Sequence, residues 1–339
     1  DDWQEALMKS NENTFADRTC CPLCSSSQSE TLARKGRAGE DLQTVLCTSC
    51  GLVFSSPIPT PDEVAQFYAK EYRRSYKGVA SPKLKHVYRA GMRALDRLPQ
   101  VQKFCPAGGC VVDIGSGGGE FLYLLKSRGY DASGVEPDEG YGGFSIREYG
   151  IDVQIGPFDR CELPQETFDL ATANHVVEHL CDPVSVFRGI WQALKMDGHF
   201  IVEVPNVEST YHAPHHKWHF AHIFNFNPIA MENLGRKTGF RVVETILQPG
   251  TQHVNVVFQK VADAPRPQYC SSNADRVRSS LSAYSNSDHY LSLMPLKRAL
   301  SNLSRTWKEQ AAVDSTLNAR EMLDRIYGAE SATSASRAA

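Results

Sequence analysis

The stretch Val111-Val112-Asp113-Ile114-Gly115-Ser116-Gly117-Gly118-Gly119-Glu120 restricts the fold of this chain more than any other. Val111, Val112 and Ile114 read as a short buried strand, and Phe121, Leu122, Leu124 and Leu125 as the apolar side of the helix that follows. Between them, glycines at 115, 117 and 119 permit positive φ and carry no Cβ, so a ligand can press against the backbone. The free N–H groups of the helix start then face the polar end of that ligand. A dinucleotide fingerprint requires its third glycine three residues after the second; position 120 is Glu120, and that register fails. A second strand, Tyr130 to Val135, ends in Glu136 and Pro137. In doubly wound folds an acid about 20 residues past the glycine turn hydrogen-bonds ribose hydroxyls.

An acid followed by G-x-G-x-G, with Glu136 closing the next strand, resembles motif I of the class I S-adenosylmethionine (SAM) methyltransferases. The resemblance implies an α/β fold, a Rossmann-like seven-stranded sheet, with SAM held by Asp113, Gly115, Gly117, Gly119 and Glu136. Later segments continue it in order. Ile151–Ile155 reads as a third strand, followed by Phe158 and Asp159 in the loop that contacts adenine in that family. Thr167–Asn174 resembles the F-D-x-V element and delivers Asn174 and His175 to the cofactor side. Asp182-Pro183 starts a helix, Lys195–Gly198 turns into strand Phe200–Pro205, and Asn227-Pro228 starts a helix that stops at Gly239. Arg241–Glu244 and Val254–Phe258 are expected as an antiparallel pair at the sheet edge.

Ahead of this lie Cys21-Pro22-Leu23-Cys24 and Cys47-Thr48-Ser49-Cys50, two C-x2-C knuckles at the separation of a tetrahedral zinc site. Cys20 competes with Cys21, but only Cys21 has the two-residue spacing to Cys24. With Cys21, Cys24, Cys47 and Cys50 all used, no coordination position is open, so the expected zinc is structural. The chain therefore divides into a zinc ribbon over 15–57, a helical linker or lid over 58–98, a SAM-binding domain over 99–261 and a helical extension over 262–339. Thr60, Pro61 and Glu63 spell a helix start with a capping box, and Ser81-Pro82 opens a second helix. Tyr72–Tyr76, aromatic and basic, is either a lid or a solvated connection. In the extension Leu296, Leu300, Leu303 and Trp307 share one helical face, and Leu317, Met322, Leu323, Ile326 and Tyr327 mark another helix. Such a stripe packs on the main domain or on a second subunit, which makes homo-oligomerisation through these helices an expectation. The tail 331–336 reads as disordered.

A net charge of -3 with 22% charged residues gives no electrostatic argument for nucleic acid or anionic lipid. No run of 18 apolar residues occurs, so no membrane span is expected, and the chain opens without a signal-peptide pattern. Of the ten cysteines, four stand in knuckle spacing, which points to metal in a reducing compartment and makes a cytoplasmic location the expectation.

Methyl transfer from a sulfonium is an in-line displacement, so alignment is most of what the protein supplies. A hydroxyl acceptor also requires a base, and histidine is matched to neutral pH. One group is His175, Glu178 and His179, whose spacing places all three on one helical face. Related ubiquinone-pathway O-methyltransferases carry a similar E-x-x-E-H stretch associated with divalent metal, with Glu where this chain has His175. The second group is the 212–222 loop, which contains five of the 11 histidines. His222 leads the candidates for the base, followed by His215, His219 and His179. Residues 20–261 as a whole resemble bacterial methyltransferases with an N-terminal zinc ribbon, many of them found with polysaccharide and sugar-nucleotide biosynthesis. That resemblance implies O-methylation of a sugar or glycan hydroxyl. The alternatives are an RNA methyltransferase whose ribbon holds RNA, a sugar C-methyltransferase, and a SAM-binding protein without catalysis.

Overall fold

The computed structural model describes residues 18–64, 66, 82–246 and 252–338. The Tyr72–Tyr76 stretch expected as lid or connection lies outside the described residues. The ribbon comprises β1 (Ser29–Lys35), β2 (Asp41–Cys47) and β3 (Val53–Ser55). Helix α1 (Leu84–Phe104) leads into β4 (Cys110–Ile114), α2 (Glu120–Ser127), β5 (Asp131–Glu136), α3 (Glu139–Tyr149) and β6 (Asp152–Ile155). Next come β7 (Phe168–Asn174), α4 (Pro183–Ala193), β8 (Leu194–Pro205), β9 (Phe224–Asn225), α5 (Pro228–Lys237), β10 (Phe240–Ile246) and β11 (His253–Lys260). Four helices close the chain: α6 (Ser271–Ser282), α7 (Asn286–Leu291), α8 (Met294–Ala312) and α9 (Ala319–Ala338).

The main sheet has seven strands in the order β10-β11-β8-β7-β4-β5-β6. Pairs from β8 through β6 are parallel, whereas β11 is antiparallel to both of its neighbours. The expected edge pair forms, with β10 at the rim and β11 inserted against β8. Strand order reverses at β4, so the glycine turn leaving β4 sits at the switch point where open α/β sheets bind ligands. Both faces are covered. Val112 and Ile114 join one apolar cluster with Phe187, Phe200, Phe240 and Phe258, while Val111 joins the opposite one with Leu122, Leu125, Leu170 and Ile201. That is the alternation of a parallel strand buried on both sides.

Several boundaries differ from expectation. Helix α1 starts at Leu84 after Lys83 and runs through Pro99 to Phe104, so the 98/99 division falls inside a helix. Val87, Ala94, Leu98 and Val101 are buried along it, and this packing holds the helix past the missing proline N–H. The Lys195–Gly198 turn is part of β8, with Asp197 at φ 66°. The tail expected to be disordered belongs to α9, which runs to Ala338. The capping box at Thr60 is present: Glu63 N–H donates to Thr60 Oγ1 at 3.2 Å, and Thr60 N–H donates to Glu63 Oε2 at 2.7 Å.

The ribbon is packed into the molecule. Cys21, Leu23, Leu52 and Phe54 belong to the same apolar cluster as β8 and α4. Strand β9 completes the ribbon sheet in the order β1-β2-β3-β9. The terminal helices are similarly engaged. Tyr327 Oη on α9 donates to Glu120 O at 2.8 Å, and Arg278 on α6 pairs with Glu30 on β1 at 2.8 Å. Among the described residues no helix is long and apolar enough to cross a membrane.

Candidate active site and metal centre

Glycines 115, 117 and 119 take φ of 72°, 56° and 84°, conformations that side chains with a Cβ resist. A Cβ built at Gly115 meets Val176 Cγ2 at 2.4 Å, and one at Gly119 meets Ser145 Cβ at 2.5 Å. At Gly117 it meets nothing within 4 Å, so this residue faces open space. The turn thus has one side packed by protein and one side free, which fits a ligand lying on its backbone. Glu136, at the end of β5, accepts Gly117 N–H at 2.7 Å and Asp138 N–H at 2.9 Å. A carboxylate offers about four acceptor sites, so Glu136 keeps capacity for ribose hydroxyls. Burial pushes its pKa up, opposed by those two N–H donors. SAM is therefore compatible with the residues present.

The other expected cofactor contacts are placed less uniformly. Asp113 is buried under the turn, accepts the Thr172 hydroxyl at 2.6 Å, and is raised to about 6 by burial. Phe158 lies in a short 3-10 turn, 158–160, and a Cβ at Gly189 would meet its Cε1 at 2.9 Å; the ring therefore rests against α4. The backbone of Asp159 is in the same turn, while its side chain is outside the described residues. Asn174 ends β7, directly before His175.

His175, Glu178 and His179 do not share an α-helical face, as their spacing implied. His175 sits at φ 57°, and Val177–His179 form a 3-10 turn. Val176, between them, packs on Gly115, and this contact sets the whole segment against the glycine turn. His175 lies between two carboxylates, with Nε2 3.0 Å from Glu203 Oε1 and Nδ1 3.4 Å from Glu178 Oε1. Arg97 reaches the same Glu203 oxygen at 3.2 Å. Burial alone would lower the His175 pKa, but the two glutamates outweigh it and raise it to about 9. Glu203, opposed by burial but favoured by His175 and Arg97, is lowered to about 2. His175 is thus a fixed imidazolium, with both ring nitrogens engaged.

A second cluster shares the Glu178 Oε1 that His175 meets. His179 Nδ1 is 2.7 Å from Ala221 O; a carbonyl only accepts, so Nδ1 carries a proton, and in the neutral ring this tautomer makes Nε2 the basic nitrogen. That Nε2 stands 3.8 Å from Glu178 Oε1. The His222 ring lies edge-on to His179 at 5.0 Å and to His219 at 5.5 Å. Burial lowers His222 to about 4, so it is neutral across the physiological range. Glu178 is 2% exposed, and its Oε1 faces His175 Nδ1 and His179 Nε2 as ion-pair contacts that lack hydrogen-bond geometry. His215 stands elsewhere: its Nδ1 is 2.8 Å from Asn286 Oδ1 and its ring is tilted against His216, with centroids 3.9 Å apart. Of the four histidines expected as base, the structure brings together His179, His219 and His222 and leaves out His215.

Sequence reasoning missed Glu203, His253 and Arg97. Glu203 interrupts an otherwise apolar strand, which was a usable signal. His253, whose ring meets His175 edge-on at 4.6 Å, opens β11 and gave none.

The four knuckle cysteines converge. Cys21 and Cys50 sulfurs are 3.6 Å apart, Cys24 and Cys47 sulfurs 3.5 Å, and all four lie within 4.8 Å of one another. Zn–S bonds of about 2.3 Å in a tetrahedron place sulfurs about 3.8 Å apart, so this set fits zinc.

Residues 84–245 match the family model described as a methyltransferase domain. This part of the chain is a methyltransferase domain. A curated relative, the ubiquinone biosynthesis O-methyltransferase of Pseudomonas entomophila, is 33% identical over 98 residues, covering 27% of this chain and 42% of that protein. The namesake from Pseudomonas savastanoi is 32% identical over the same shares. The chain thus spans less than half the length of the curated relatives it matches. Among solved structures, a SAM-dependent methyltransferase from Thermotoga maritima is similar at 25% identity and a TM-score of 0.42, over 58% of this chain and 98% of that one. One from Mesorhizobium loti is similar at 17% identity and a TM-score of 0.41, over 48% and 97%.

Proposed function

We propose that this chain is a SAM-dependent methyltransferase that methylates a hydroxyl of a sugar or glycan in polysaccharide biosynthesis. The observation that carries the reaction type is the Val176–Gly115 contact. It seats the Glu178–His179–His222 cluster beside the turn suited to SAM. SAM, when bound, supplies the electrophilic methyl group. The turn and Glu136 bind it, and Asn174 and His175 border it. His179 Nε2, whose tautomer is fixed by Ala221 O, accepts the hydroxyl proton, and the buried Glu178 carboxylate stabilises the resulting imidazolium. His222, neutral and buried, orients the hydroxyl by accepting or donating a hydrogen bond. The chemistry of a hydroxyl acceptor is also that named for the curated relatives. The resemblance of the ribbon-bearing chain favours a sugar over an acceptor of ubiquinone biosynthesis. The four cysteines hold structural zinc.

The test is methyl transfer from labelled SAM to a panel of nucleotide sugars and oligosaccharides, phenolic lipids and RNA. Transfer to a sugar hydroxyl, lost by about 10²-fold in His179→Ala at unchanged SAM affinity, is the expected result. Transfer confined to phenols or RNA would overturn the acceptor, and SAM binding without any turnover would overturn catalysis itself.

A further inference from the structure

The ribbon holds the acceptor-side histidines at both ends. Strand β9 begins two residues after His222 and pairs antiparallel with β3, Val53 opposite Asn225 and Phe54 opposite Phe224. Ser55 N–H donates to Ile223 O at 2.9 Å. On the other side, at the tip of the β1–β2 hairpin, Arg37 N–H donates to Trp218 O at 2.8 Å. The four residues between these clamps contain His219, His222 and Ala221, the carbonyl that fixes the His179 tautomer. The second cysteine knuckle leads straight into the seam: Cys47 N–H donates to Leu52 O at 2.8 Å, and Val53 follows. Cys50 O accepts Asn273 Nδ2 at 2.9 Å, and Asn273 Oδ1 accepts Asn227 Nδ2 at 2.7 Å, tying the knuckle to the end of the histidine loop.

We propose that the four-cysteine ribbon is a positioning device for the acceptor side of the site: order in the ribbon sets the placement of residues 219–222 and, through Ala221 O, of His179. A short segment pinned at both ends by backbone hydrogen bonds keeps side chains in the narrow geometry that proton transfer requires. The inference rests on the proposed roles of His179 and His222. Its readout is therefore loop order as well as turnover, so the two can fail separately.

Arg37 is the second residue of the 36–39 turn, in which Gly39 N–H donates to Gly36 O at 3.0 Å, a position where turns accept proline. In the full chain, Arg37→Pro deletes the N–H to Trp218, whereas Arg37→Ala keeps it and removes only the charge. Hydrogen exchange at 219–223 should quicken about fivefold or more in Arg37→Pro, the factor one lost backbone hydrogen bond supplies, and stay unchanged in Arg37→Ala. Turnover should fall with it at unchanged SAM affinity. Chelating the metal should give the same local exchange, reversed by added zinc. Unchanged exchange at 219–223 in both Arg37→Pro and the chelated protein overturns the proposal. So does exchange that rises equally in β4 and β5, since that is general unfolding.

A separate observation concerns α8. Leu293, Leu296, Leu300, Leu303 and Trp307 recur at three- and four-residue steps, each between 57% and 75% exposed. This is a heptad seam, and the positions flanking it, Ala299, Ser304 and Thr306, are small and uncharged apart from Lys297. Tyr290 and Leu291 in the preceding helix are exposed as well, so large apolar side chains left in solvent concentrate over 290–307, as at a protein–protein interaction site. We infer that the seam pairs with the same seam of a second copy. Sedimentation should give a dimer at micromolar concentration, and Leu300→Glu with Leu303→Glu a monomer of unchanged helix content. A monomeric parent chain, or a dimer indifferent to both substitutions, overturns it.

Discussion

The glycine turn separates two roles that look alike in sequence. At Gly119 an added Cβ collides with Ser145 on α3, whereas at Gly117 it enters open space. Gly119→Ala should therefore lower stability, by roughly 1–3 kcal/mol for an overpacked contact, and affect SAM binding only as a consequence. Gly117→Val should leave a folded protein carrying the cost of an unfavourable φ while its side chain fills the ligand side of the turn. Calorimetry on the two variants, beside thermal melts, separates them; equal loss of SAM affinity at equal stability would show that the two glycines do the same job. His175 is a second residue-scale case. Its charge is fixed between Glu178 and Glu203, so it serves as a counterion and not as the base that a reactive histidine in this position would be.

At the scale of elements, the 3-10 turn 177–179 and strand β9 decide the site. Neither is long enough to be recognised by periodicity: one is three residues, the other two. Their placement comes from contacts made elsewhere, Val176 on Gly115 and the β3 seam. The ribbon depends in the same way on its sulfurs. Structural zinc can contribute apparent free energies of order 10 kcal/mol to folding, so Cys47→Ser should lose the metal and lower the melting temperature, where a purely catalytic lesion would leave the melt intact. Metal analysis of freshly purified protein is expected to find one zinc per chain and none in Cys47→Ser; a metal-free parent protein would count against the centre.

For the whole molecule, the charge chain Arg97–Glu203–His175–Glu178 ties α1, β8 and the turn after β7, and it makes stability depend on pH. The folded pKa of His175, about 9, lies above its ordinary 6.5. Its contribution is therefore complete below about pH 6.5 and is lost as pH rises through 9. His222 acts at the other end: held at about 4, it resists the proton that the unfolded chain accepts, so stability falls as pH drops from 6.5 toward 4. The melting temperature should be highest near pH 6–7, and the gap between the parent protein and His175→Gln should shrink from pH 6.5 to 9. A gap that stays constant over that range would mean His175 is not held charged.

The sequence determined what local chemistry and periodicity carry: the strand–glycine–helix turn, the acid after β5, the helix caps at Asp182 and Asn227, the edge strands and the paired cysteine knuckles. Each is fixed by φ, hydrogen-bonding or ligand spacing within about thirty residues, and each reads the same before and after folding. The tertiary structure alone decided which histidines meet. His179 and His222 are adjacent, and His215 is not, because β9 pairs with a strand more than 160 residues earlier in the chain. Glu203 and His253 reach His175 from neighbouring strands that no local pattern links. The same long-range packing joins the ribbon and the first turns of α9, through Tyr327, to the main domain. A side chain's partner across a sheet is set by strand order and register, and these follow from burying the whole core at once, not from any segment's own preference.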